Sequence, residues 1–146
     1  MTKIKLLVGL KIPDTTAITA FNTLKKMGIN IEELEREDYY EFILLKDSDK
    51  FMKDIAEVDI LVNANKNYSK VYREEIGKEE GFVYVVVRNK EKDLGLRETL
   101  MERMGFKNIA EMHKGVLWKF KASEEEAEKA VKELLHNPHY QEFELL

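Results

Sequence analysis

Apolar and polar residues alternate through Lys3 to Leu10 (KIKLLVGL), which puts Ile4, Leu6, Val8 and Leu10 on one side. A period of two predicts a strand. After the break at Pro13-Asp14-Thr15 the period lengthens. Ala17, Ala20, Phe21, Leu24 and Met27 fall on one helical stripe, and Gly28 is the expected stop. Ile31 to Arg36 and Tyr39 to Leu45 read as two strands joined by a tight acidic turn at Glu37-Asp38, with Tyr40, Phe42 and Leu44 on one face of the second. Ser48 caps a helix carrying Phe51, Ile55 and Val58, and a strand follows near Tyr68 to Tyr72.

Glu74 to Gly81 (EEIGKEEG) is charged, flanked by glycine and free of apolar period, so it reads as a join between halves. From Phe82 the pattern begins again. FVYVVV is a strand; Leu96, Leu100 and Met104 mark a helix stopped by Gly105; Ile109 to Met112 and Val116 to Phe120 are the next strand pair. Ser123 with Glu126 three residues on is a capping-box signature. It opens a helix with Ala127, Ala130, Val131, Leu134 and Leu135, which Asn137-Pro138 ends before a last strand from Gln141 to Leu146. Met27-Gly28 answers Met104-Gly105, Ile31 and Leu34 answer Ile109 and Met112, Tyr40 and Phe42 answer Trp118 and Phe120, and Asn63 answers Asn137. The chain reads as one unit written twice, 1–76 and 77–146.

A βαββαβ unit of this size is the ferredoxin-like arrangement, so the expected class is α+β: two such repeats with antiparallel sheets, packed as a pseudo-dimer. Leu6-Leu7-Val8, Ile43-Leu44-Leu45 and Val83 to Val87 are apolar on both faces, unlike a strand with one wet face. The expectation is that the two sheets bury these faces against each other or against a second chain.

Composition narrows the chemistry. The 146 residues are 44% hydrophobic and 36% charged, with a net charge of -4, which argues against nucleic acid as the main partner. No stretch has the apolar length of a membrane span and no signal pattern opens the chain, so a cytoplasmic protein is expected. The absence of cysteine removes disulfides and thiolate chemistry. His136 and His139 flank Asn137-Pro138 but lack further ligands, and Asp47-Ser48-Asp49 reads as a helix start. Neither a phosphate-cradling loop nor a nameable catalytic pair is legible. The expectation is no catalytic residue, no metal site and no cofactor.

The ending LLHNPHYQEFEL, with its acidic helix running into Leu134-Leu135, then Asn137-Pro138 and a strand, resembles the PurS subunit of phosphoribosylformylglycinamidine synthase. The likeness extends over Phe82 to Leu146 and, more loosely, over Lys3 to Val71. It differs from that family in carrying two units in tandem, like a fused dimer, and in having Ala64 where the second copy has Pro138. The resemblance implies a non-catalytic subunit that holds a glutaminase against an ATP-using synthetase in purine synthesis, with homo-oligomers possible. Asn137, Pro138, His139 and Tyr140 are the candidate partner-binding residues, because a rigid turn bearing an aromatic is a preorganised contact. The alternative is a tandem small-molecule-sensing module similar to ACT-type regulatory domains, on the strength of Gly28-Ile29-Asn30-Ile31 and the repeated unit. A third reading, an enzyme of the dimeric α+β-barrel kind, needs a lined cavity between the sheets, and the apolar inner faces speak against it.

Overall fold

The computed structural model describes every residue from Met1 to Leu146. Elements follow in the order β1 (Thr2–Leu10), α1 (Thr15–Lys26), β2 (Glu33–Leu44), α2 (Asp49–Ile55), β3 (Asn67–Arg73), β4 (Val83–Asn89), α3 (Leu94–Glu102), β5 (Ile109–Lys121), α4 (Glu124–Ala130) and β6 (Gln141–Leu145). A wider π-helical turn, Val131–Leu135, prolongs α4. The fold is α+β, with one six-stranded antiparallel sheet and four helices. No helix is long and apolar enough to cross a membrane.

Each helix begins at a short polar side chain that accepts hydrogen bonds from amides of the first turn: Asp14, Ser48, Asp93 and Ser123. Gly28 and Gly105 follow α1 and α3 with φ of +81° and +77°, a conformation that Cβ-bearing residues resist. The capping box at α4 forms only by half. Ser123 accepts from the Glu126 amide, but the Glu126 carboxylate accepts from the Asn30 amide at 2.7 Å instead of turning back. That contact ties the start of α4 to the loop after α1.

The acidic turn expected at Glu37-Asp38 does not exist. β2 runs straight through it, and β5 likewise runs unbroken through His113 to Gly115. Each half is therefore β-α-β-α-β with three strands, and not βαββαβ with four. The physical reason is that β2 and β5 lie antiparallel along nearly their whole lengths, from Glu33 opposite Lys121 to Leu44 opposite Ile109. A backbone that finds its partner in the other half gains nothing by folding back on itself.

The strand order is β3-β1-β2-β5-β4-β6, which reads the same from either edge once the halves are exchanged. The halves meet edge to edge through β2 and β5, so the expected face-to-face closure of two sheets does not occur within the chain. All four helices cover one face. There, Ile4, Leu6, Val8, Phe42 and Leu44 pack with α2 and also with Leu100 of α3 and with Ile109 and Met112 of β5. The second core is the mirror of this arrangement: Val85, Val87, Trp118 and Phe120 pack with α4 and with Leu24 of α1. Each half's first helix thus lends a buried leucine to the core of the other half.

The opposite face carries its own apolar cluster of Leu7, Tyr39, Tyr84, Val86 and Leu117, with no helical residue in it. The segment joining the halves covers that cluster. Ile76, 8% exposed, is set among those side chains; the Glu79 amide donates to the Tyr84 hydroxyl and Lys78 Nζ to the Leu146 carbonyl. The strands are apolar on both faces, as their sequences require. What covers part of the second face is a nine-residue strap of the same chain and not another sheet.

Candidate functional site

Gly115 sits in the middle of the helix-free face, opposite Tyr39 of β2 on one side and Arg88 of β4 on the other. It has no side chain, and β4 comes so close that a Cβ on Gly115 would lie 2.2 Å from the Val87 carbonyl oxygen. Its neighbours Tyr39 and Arg88 help to line a concavity of about 400 Å³, with walls from β1, β2, β4 and β6. Lys3 and Lys5 line it on the β1 side, Glu142 and Glu144 on the β6 side, and Tyr39, Glu41, Val86 and Arg88 between.

Glu41 is the hub of the site. Its side chain is buried, it accepts from the Tyr39 hydroxyl at 2.7 Å and from Arg88, and Lys3 Nζ lies 3.9 Å away. Arg88 uses its other terminal nitrogen on Glu142. Burial pushes the Glu41 carboxyl up, but the Tyr39 hydrogen bond and the Arg88 and Lys3 charges outweigh it and hold the group below the ordinary carboxylate range. Tyr39 is raised, first by burial and then by Glu41, and so remains a proton donor. Arg88 is held above its usual value despite burial, by Glu142 and Glu41. Next to Glu41 across the strands stands buried His113, whose Nδ1 is 3.2 Å from the Asn89 carbonyl. A carbonyl only accepts, so Nδ1 carries the proton.

The lowered Glu41 value fixes a sign. A carboxyl depressed by folding contributes stability above its unfolded value, near 4.3, and that contribution is lost as pH falls through the folded value. Glu41→Gln should cost about 2 kcal/mol at neutral pH, the range for a hydrogen bond to a charged group. The gap between wild type and variant should shrink below the unfolded value, because glutamine has no proton to gain. Urea midpoints for both proteins at pH 7 and pH 3.5 check this.

A second charged group lies on the same face. Lys119 Nζ is 2.6 Å from Glu37 Oε1 with both side chains buried, and Lys70 Nζ is 3.7 Å from Oε2. The Lys119–Glu37 contact is an ion pair without hydrogen-bond alignment, and Lys119 also stands 5.3 Å over the Tyr84 ring. Burial lowers the Lys119 amine, but Glu37 outweighs it and keeps the group above its usual value. Gly9 completes the arrangement, because the Tyr68 ring occupies the space where a Cβ would be.

Asn137, Pro138, His139 and Tyr140 are all exposed, on the turn that leads into edge strand β6. Asn137 spends its polar groups on the turn itself. Its carbonyl accepts from the Tyr140 and Gln141 amides, its Oδ1 from His139, and its amide donates to Gln141 Oε1. Lys90 Nζ donates to the Pro138 carbonyl at 2.8 Å. The turn before β3 is built the same way, bond for bond. Asn63 accepts from Lys66, Asn67 and Asn65, its amide donates to Asn67 Oδ1, and Lys11 Nζ donates to the Ala64 carbonyl at 2.8 Å. Asn137 and Pro138 therefore form the turn, while His139 and Tyr140, the latter 69% exposed, are what it presents. His136 Nε2 faces the Gln141 carbonyl, and Asp47 and Asp49 pair with Arg73.

No protein-family model and no curated protein matches the chain. The concavity was not found by reading the sequence, because the supposed turn at Glu37-Asp38 hid its main wall. Read as one strand, ELEREDYYEFIL places Glu33, Glu35, Glu37, Tyr39 and Glu41 on a single face. A row of acids with one tyrosine on a strand interior was the available signal.

Proposed function

We propose that this protein is a non-catalytic interaction subunit of the PurS type, a tandem, fused-dimer-like form of a ferredoxin-like module, working in purine synthesis. The observation that carries the reading is the pair of matching turns, Asn63 to Asn67 and Asn137 to Gln141, next to the two edge strands. Two rigid turns of one design give a scaffold two comparable contact points at opposite edges. Their presented side chains differ, Asn65 and Lys66 on one and His139 and Tyr140 on the other, as suits two different partners. The reciprocal placing of α1 and α3 supports the duplication, since each half needs the other to complete its core. In this reading the partners are a glutaminase and an ATP-using synthetase, the protein is cytoplasmic, and the residues that recognise one partner are His139 and Tyr140.

The test passes the protein over the purified glutaminase and synthetase subunits from the same source. Co-elution with both is expected, and Tyr140→Ala should weaken one contact about tenfold, as truncation of an exposed aromatic anchor does. If neither subunit is retained, and removing the gene leaves purine synthesis intact, the assignment is lost.

A further inference from the structure

The concavity lined by Tyr39, Glu41 and Arg88 has walls of opposite charge. Lys3 and Lys5 project from β1 on one side; Glu142 and Glu144 stand on β6 on the other. Between them the lining includes Tyr39 and Val86. Arg88 and Glu41 are occupied with each other and with Tyr39 and Glu142, but Lys5 and Glu144 have no ion-pair partner in the chain. One free cation and one free anion therefore face the same space from opposite walls.

We propose that this concavity binds a short zwitterion with a carboxylate at one end, an ammonium at the other and an uncharged spacer between. The carboxylate would meet Lys3 and Lys5, and the ammonium Glu144, with the spacer crossing over the buried Tyr39 and Val86. Size agrees with this: about 400 Å³ lies at the small end of ligand sites and suits a molecule of roughly ten heavy atoms. Separation of the charges agrees too. β1 and β6 are four strand steps apart, about 19 Å in a flat sheet. Two lysine stems and two glutamate stems reaching inward leave a gap of several ångströms. An α-amino acid such as glycine, whose charges are adjacent, is too short to touch both walls. A singly charged molecule meets only one wall and leaves its other end against a charge it cannot match.

The site is separate from the turn at His139-Tyr140, so it stands or falls independently of the scaffold reading. The probe is 6-aminohexanoic acid in calorimetry with the full chain, beside hexanoate, hexylamine and glycine. Saturable binding of 6-aminohexanoic acid is expected, at least tenfold tighter than either singly charged analogue. Lys5→Ala and Glu144→Gln should each weaken it by about tenfold, with thermal midpoints unchanged because neither side chain is paired. Absence of saturable heat for 6-aminohexanoic acid would overturn the proposal. So would hexanoate or hexylamine binding equally well, or binding that ignores both substitutions while the variants melt like wild type.

Discussion

Gly115→Ala should lower stability by about 3 kcal/mol, the upper part of the range for overpacking, and the thermal midpoint by roughly 6–12 °C for a chain of this size. The added Cβ would lie 2.2 Å from the Val87 carbonyl oxygen and 2.9 Å from the Arg88 Cα. Both are backbone atoms of β4, which is hydrogen-bonded on both sides by β5 and β6. No side chain can swing aside to make room, so the strands must part. Gly95→Ala is the matched comparison. Nothing lies within 4 Å of a Cβ there, and the position is in the first turn of α3, so alanine should be neutral or stabilising by up to about 1 kcal/mol. Urea melts of the two variants separate a demand for close approach from a general intolerance of substitution. Equal stability of Gly115→Ala and wild type would contradict the close packing of β4 on β5.

Lys119→Met should cost about 3–5 kcal/mol, because it leaves Glu37 buried with its main counter-charge removed. Lys70, 3.7 Å away and half in solvent, compensates only in part. Replacing both partners by apolar residues, Glu37→Leu with Lys119→Met, removes the stranded charge along with the pair. The double variant should recover most of the loss, and a double-mutant cycle in urea measures the coupling. Additive losses would mean that the two groups do not share a buried site. This pair has no counterpart in the other half, where Gly115 answers Glu37 at the offset that relates Phe42 to Phe120.

The sequence by itself determined every element with a complete local signal. Asp14, Ser48 and Ser123 start helices and Gly28 and Gly105 stop two of them, because caps and left-handed glycines act within a few residues. The buried stripes Ile4-Leu6-Val8, Phe51-Ile55-Val58 and Tyr40-Phe42-Leu44 follow from periodicity alone. The α+β class and the repetition of Asn63 in Asn137 were equally legible. Only the tertiary structure decided that Glu37-Asp38 is strand interior. An acidic pair favours a turn until a distant lysine and a full-length partner strand stabilise the extended form, and Lys119 is 82 residues away. The same holds for the strap. Ile76 is one apolar residue in a charged run, which reads as linker until the sheet face it fills is assembled around it. The concavity belongs to this second group as well, since Lys5, Glu41, Arg88 and Glu144 come together only through strand order, and strand order depends on pairing across the halves.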